Sequence, residues 1–150
     1  MVIYIASDHA GFYLKKALIQ YLHVKEYEVE DCGAFTMDEA DDYPDFIIPC
    51  ALRVAQGKPD DVGIVIGGSG NGEAIAANKV KGVRAAVFYG ANAEIARLAK
   101  VHNNANILSI GARFTSDEEA KKAVAMWLET KFDGEGRHTR RLEKVRKIEE

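Results

Sequence analysis

Short runs of β-branched and other apolar residues alternate along this chain with segments whose apolar positions recur at helical spacing. The strand-like runs are Val2–Ala6, Tyr27–Glu30, Val62–Ile66, Val83–Phe88 and Ala105–Ile110. The helical patterns that follow them are Phe12–Val24, Asp45–Gln56, Glu73–Val80, Ala91–Val101 and Asp117–Phe132. Five strands, each followed by a helix, predict a parallel sheet, because parallel neighbours need crossovers and helices supply them. The expected fold class is α/β: a doubly wound, Rossmann-like, three-layer α/β/α domain with a five-stranded parallel sheet, spanning residues 1–150 as one unit. The runs VGIVIG (62–67) and NILSIG (106–111) are apolar nearly throughout, so they are expected at the centre of the sheet, covered on both faces.

Local signals agree with this pattern. Thr115-Ser116-Asp117-Glu118-Glu119 reads as an N-cap followed by first-turn acids, which suit free N–H groups and the helix dipole. Trp127 shares an apolar stripe with Val124 and Leu128 and is assigned to the core. The segment Asp133-Gly134-Glu135-Gly136 is the loosest in the chain. It is expected to free the basic stretch Arg137–Lys147 as a C-terminal helix that reaches a partner subunit.

Composition narrows the partners. With 150 residues, 47% of them hydrophobic, the chain can bury a core without a disulfide or structural metal. A balance of 20 Lys+Arg against 23 Asp+Glu gives a net charge of −3, which offers no broad field for nucleic acid or a membrane surface. No apolar run reaches the roughly 18 residues of a membrane span, and the signal-peptide pattern is missing, so a cytoplasmic location is expected. Neither Cys32 nor Cys50 has a second ligand at metal spacing, and Cys50 is expected to be a buried, inert thiol.

In a parallel sheet, ligands bind beyond the carboxyl ends of the strands. Polar clusters follow the expected ends of the first, third and fifth strands: Ser7-Asp8-His9-Ala10-Gly11, then Gly67-Gly68-Ser69-Gly70-Asn71-Gly72-Glu73, then Gly111-Ala112-Arg113. The glycine cluster matches neither a Walker loop nor the dinucleotide fingerprint, and reads either as a tight turn or as an anion-binding loop. Glu73 reads as a helix cap or as a base, and His9 and His102 as hydrogen-bonded loop residues or as functional groups. Taken together, a carboxylate, two histidines, the Ser69 hydroxyl, an amide nest and spare arginines suit proton abstraction beside a carbonyl on a small anionic molecule. His102 ends its helix and so falls nominally at the opposite edge of the sheet, which simple topology leaves unexplained.

In order and spacing, IASDHAGFYLK (5–15), DYPDF (42–46), GGSGNGEAIAANKV (67–80), GVRAA (82–86), HNNANILSIGAR (102–113) and RHTRR (137–141) resemble ribose-5-phosphate isomerase type B and its galactose-6-phosphate isomerase relatives. Many relatives have a catalytic cysteine where this chain has Gly67; the chain resembles the branch that uses Ser69 and Glu73. The resemblance implies an aldose-ketose isomerase of ribose 5-phosphate and ribulose 5-phosphate that needs no metal or organic cofactor. It implies Glu73 as the base, a cis-enediolate held by the Ser69 hydroxyl and the amides of Gly70, Asn71 and Gly72, with Gly68 also binding substrate, and His102 opening the sugar ring with Asp8 nearby. Tyr43 and Asn103 resemble substrate contacts, while His9, Arg113, Arg137 and Arg141 resemble phosphate ligands. Arg137 and Arg141 are expected from the partner subunit of a homodimer or tetramer with composite sites, and Arg140 as a solvated charge. The competing readings are isomerisation of a hexose or tetrose phosphate, and a sugar-phosphate sensor without catalysis.

Overall fold

The computed structural model describes residues 1–150. The chain runs β1 (Val2–Ser7), α1 (Phe12–Val24), β2 (Glu28–Asp31), α2 (Pro44–Gln56), β3 (Val62–Gly67), α3 (Asn71–Ala77), β4 (Ala85–Phe88), α4 (Glu94–Asn103), β5 (Ile107–Gly111), α5 (Asp117–Glu129) and α6 (Gly136–Arg146). Short 3-10 turns cover His9–Gly11 and Lys147–Glu149. The five strands are all parallel, in the order β2-β1-β3-β5-β4. The segments expected at the centre, β3 and β5, are neighbours inside the sheet, each with a strand on either side.

Strand alternation sorts the core into two layers. Ile3, Ile5, Ile64, Ile66, Leu108 and Ile110 face Leu14, Leu18 and Leu22 of α1, Ala96 of α4, and Ala120, Val124 and Trp127 of α5. On the other face Tyr4, Ala6 and Val65 meet Ile47, Cys50, Ala51 and Val54 of α2 and Ala77 of α3. Trp127 and Cys50 are both fully buried, as their sequence context predicts. No helix is long and apolar enough to cross a membrane.

Several boundaries differ from the sequence expectation for local reasons. The third helix starts at Asn71, ahead of Glu73, because Gly70 turns the chain at φ 79° in the left-handed region open to glycine. It ends at Ala77 because the Asn78 side chain exchanges two hydrogen bonds with the backbone of Ala85 and draws the chain toward β4. The fourth helix starts three residues late, at Glu94, after positive φ at Gly90 and Ala91. The fifth stops at Glu129, where the backbone turns extended and the Thr130 hydroxyl donates to the Met126 carbonyl at 2.6 Å. At its start, Ser116 and Glu119 form a complete capping box, a device of about 1 kcal/mol.

Beyond its hinge, α6 lies against α4 and buries a single residue, His138. The chain end returns to the body through Glu149, whose carboxylate accepts from the Gly82 N–H at 3.0 and 3.1 Å.

Candidate active site

The strand order reverses at β1 and β3, and the loops leaving these two strands diverge over a shared crevice. The turn after β1 is pressed onto β3: a Cβ at Gly11 would stand 2.6 Å from the Ile66 carbonyl oxygen, so only glycine fits. Asp8 caps this turn, accepting from the N–H groups of Ala10 at 2.9 Å and Gly11 at 3.2 Å. His9 then projects from it. Asp41 Oδ1 accepts both the backbone N–H of His9 at 3.1 Å and its ring Nδ1–H at 2.6 Å, which turns Nε2 outward. The hydrogen bond to Asp41 holds the His9 pKa above its ordinary value, aided by the charge of Asp8 and opposed by burial and by Arg113.

Glu73 sits in the first turn of α3, nearly buried at 4% exposure. Its carboxylate fills the space that a side chain on Gly67 would need. Burial raises its pKa above the ordinary glutamate value, and the charge of Asp8 raises it further, against the lowering effect of its own N–H group and that of Gly70. Ser69 Oγ accepts from the Asn71 N–H at 3.2 Å, which leaves the hydroxyl proton free to donate. The loop is held from below by Ser109, whose hydroxyl donates to the Gly70 carbonyl at 2.6 Å.

Two further elements close around the loop. The Arg113 guanidinium lies over Gly68, within 3.1–3.4 Å of where a Cβ would be, and Arg113 N–H donates to the Gly68 carbonyl at 3.0 Å. The ring of Tyr43, at the start of α2, packs on Gly72, where a Cβ would come within 2.9 Å of Tyr43 Cζ. Asp8, His9, Tyr43, Gly68, Ser69, Gly70, Asn71, Gly72, Glu73 and Arg113 thus gather at one edge of the sheet.

His102, Asn103, Arg137 and Arg141 do not join them. His102 and Asn103 close α4 beside the entry to β5, where Ile107 pairs with Gly63 and Ala85 at the opposite edge of the sheet from Gly67 and Gly111. Within one chain His102 is therefore remote from Asp8, contrary to the adjacency that the resemblance implies. Arg137 and Arg141 are exposed on α6 at that same far side, as is Arg140. The chain carries two half-constellations at opposite edges.

The cysteines stay out of both. Cys50 lies within the α2 layer and Cys32 packs against the same cluster. Contact between the two thiols lowers the Cys32 pKa and raises that of Cys50, which burial raises further.

Two residues of evident importance escaped the sequence reading. Asp41 lies in an acidic stretch that resembles a solvated loop, and no local period marks it as the partner of His9. His138 had a usable signal: with Leu142 and Val145 it falls at i, i+4 and i+7 on one face of α6, although His138 alone of the three is buried.

Residues 3–145 match the family model described as Ribose/Galactose Isomerase. Ribose-5-phosphate isomerase B of Mycolicibacterium paratuberculosis is 46% identical over 143 residues, covering 95% of this chain and 88% of that protein. Among solved structures, ribose-5-phosphate isomerase B of Mycoplasma genitalium with bound ribulose-5-phosphate superposes with a TM-score of 0.94 at 44% identity, covering 99% of this chain and 95% of the other. Ribose-5-phosphate isomerase B of Clostridium thermocellum gives a TM-score of 0.93 at 45% identity, covering 99% and 97%.

Proposed function

The chain belongs to the ribose/galactose isomerase family, and from that premise we propose that it is a cytoplasmic aldose-ketose isomerase interconverting ribose 5-phosphate and ribulose 5-phosphate, with Glu73 as the base. The observation that carries this reading is the buried Glu73 carboxylate, lodged against Gly67 between Asp8 and the amides of a glycine loop. A carboxylate with a raised pKa, fixed beside donors, suits the removal of a proton next to a carbonyl. A sensor that only binds a sugar phosphate has no use for it.

The reaction divides among the groups as follows. His102 protonates the ring oxygen as the C1 hydroxyl gives up its proton to Asp8, beside it in the assembled pocket, and the furanose opens to the aldehyde. Glu73 then takes the C2 proton. The Ser69 hydroxyl and the amides of Gly70 to Gly72 hold the cis-enediolate, whose negative charge develops only along the reaction path, so the stabilisation speeds the chemical step. Glu73 returns the proton to C1. Tyr43 and Asn103 contact the sugar. The phosphate is taken by His9, whose protonated form the Asp41 hydrogen bond favours, together with Arg113, Arg137 and Arg141, whose planar forks match phosphate oxygens.

This division needs two copies. The half-constellations lie at opposite edges of one sheet, so a single chain cannot close a pocket from both. A two-fold assembly apposes the Glu73 edge of one subunit to the His102 edge of its partner and completes two equivalent pockets. His102 and Asn103 thus join Arg137 and Arg141 as groups donated across the interface, which removes the topological difficulty posed by His102.

The deciding experiment compares turnover of five-carbon and six-carbon aldose phosphates by the purified protein. Preference for ribose 5-phosphate supports the reading. Preference for a hexose phosphate reassigns the substrate, and binding without turnover of any aldose phosphate leaves a sensor.

A further inference from the structure

The start of α6 is anchored through one ring. His138, the buried residue of that helix, lies flat against His102 at the last turn of α4, with ring centroids 4.6 Å apart and planes 13° apart. His138 Nε2 accepts from Arg137 Nε–H at 3.4 Å and stands 3.7 Å from Asp133 Oδ2. Asp133 is fixed in turn, its N–H donating to the Val101 carbonyl at 3.4 Å and its Oδ1 accepting from Glu135 N–H at 3.0 Å. The end of α4, the hinge and the first turn of α6 therefore converge on one imidazole.

The chemistry of the substrate says why that convergence matters. The ring oxygen and the phosphate of a pentose 5-phosphate sit a fixed distance apart, so groups that act on both must be fixed relative to each other. His102 rides on α4 and is part of the body of the domain, whereas Arg137 and Arg141 follow a segment with two glycines, Gly134 and Gly136. Beside the Asp133–Val101 hydrogen bond at the hinge and the Glu149–Gly82 bonds at the chain end, the stack is the side-chain contact that joins the ring of His102 itself to α6. A flat neighbour on one face of the His102 ring also restricts its rotation, leaving the ring edge and opposite face for the sugar.

Resting on the isomerase reading above, we propose that His138 is the positioning residue of the donated half-site: its ring sets the orientation of His102 and the placement of Arg137 and Arg141, so that ring-opening and phosphate-gripping groups enter the neighbouring pocket as one unit. It touches no reacting atom. Its effect lies in registration, and a misplacement of about 1 Å in such a constellation costs up to about a hundredfold in rate.

The test uses the intact protein and the variants His138→Ala and His138→Phe, the second keeping a flat ring. Two activities are measured. One is turnover of ribose 5-phosphate, which must be opened from its furanose; the other is solvent deuterium exchange at C1 of ribulose 5-phosphate, which stays open-chain because its C5 oxygen carries the phosphate. His138→Ala is expected to lose about tenfold to a hundredfold in kcat on ribose 5-phosphate. It should raise KM for both sugars, yet hold exchange at saturating ribulose 5-phosphate within about twofold of wild type. His138→Phe should recover most of the loss. Wild-type kinetics in His138→Ala, or equal losses in turnover and exchange, overturns the proposal; should that variant not fold, His138→Gln takes its place as the ring-free protein. If wild type neither turns over nor exchanges either sugar, the isomerase reading fails. Registration is then judged by NMR alone: the His102 Hε1 resonance should carry a ring-current displacement that is kept in His138→Phe and lost in the ring-free variant, and an unchanged resonance overturns the proposal.

Discussion

The carboxylate of Glu73 occupies the volume in which a side chain on Gly67 would stand. The two positions are therefore coupled sterically. A residue with a Cβ at the end of β3 and a glutamate in the first turn of α3 compete for one space at the bottom of the pocket. This gives physical content to the departure at Gly67: the glycine makes the room in which the carboxylate acts. Gly67→Ala is expected to lower both stability and activity, the latter by about a hundredfold through displacement of the base. Adding Glu73→Ala should restore the stability and leave the protein inactive, a non-additivity that thermal unfolding of the double-mutant cycle measures directly.

Glu73→Gln should keep the fold and phosphate binding while losing isomerisation, and C1 exchange with solvent deuterium, by about two orders of magnitude or more. A near wild-type rate would remove Glu73 from the role of base. The raised pKa adds a stability consequence with a definite sign. Between the ordinary glutamate pKa and the higher folded value, the native state binds more protons than the unfolded chain, so stability falls as pH rises through that window. Glu73→Gln is consequently expected to raise the unfolding temperature at neutral pH, with the gain vanishing below the ordinary glutamate range.

Asp41→Asn should lower the pKa of His9, because the Asp41 hydrogen bond is the largest cause of its elevation. A smaller protonated fraction of His9 weakens the grip on phosphate, so KM near neutral pH should rise while kcat changes less. At a pH below the ordinary histidine value both proteins carry a protonated His9, and the difference should narrow. The His9–Asp41 pair contributes stability below that value and loses it as pH rises through the raised folded pKa, the same sense as Glu73 but in the histidine range. NMR titration of the His9 ring reads the shift directly; coincident titration curves would exclude Asp41 from this role.

His102→Asn should impair turnover of ribose 5-phosphate far more than C1 exchange in ribulose 5-phosphate, since only the furanose needs opening. Equal losses would take His102 out of ring opening.

Glu73→Gln protein and Arg137→Ala/Arg141→Ala protein, each nearly inactive, should regain activity when unfolded and refolded together. Random pairing of equal amounts makes about half the dimers mixed, each with one whole pocket of two, so about a quarter of wild-type activity is expected. His102→Asn should complement Glu73→Gln in the same way if it too is donated. The absence of recovery, with mixed dimers demonstrated by differential tagging, would place base and donated groups on the same chain.

The alternation of apolar runs and helical periods by itself determined the α/β class, the single five-stranded sheet and the central places of β3 and β5. Burial on two faces leaves a continuous apolar signature in the sequence, and a parallel sheet forces its ligand groups to the strand ends. That was enough to gather Asp8, the glycine loop, Glu73 and Arg113 on paper. Only the tertiary structure decided the rest. The pairing of His9 with Asp41 joins residues 32 positions apart through a loop without periodicity. The mutual exclusion of a Gly67 side chain and the Glu73 carboxylate depends on ångström-scale volumes that residue types do not encode. The stack of His102 on His138 depends on where α6 comes to rest beyond its hinge. Local pattern is set by which face of each element meets water and is written residue by residue. Contact between distant elements is set by how those faces finally dock, which becomes legible only when the chain is folded.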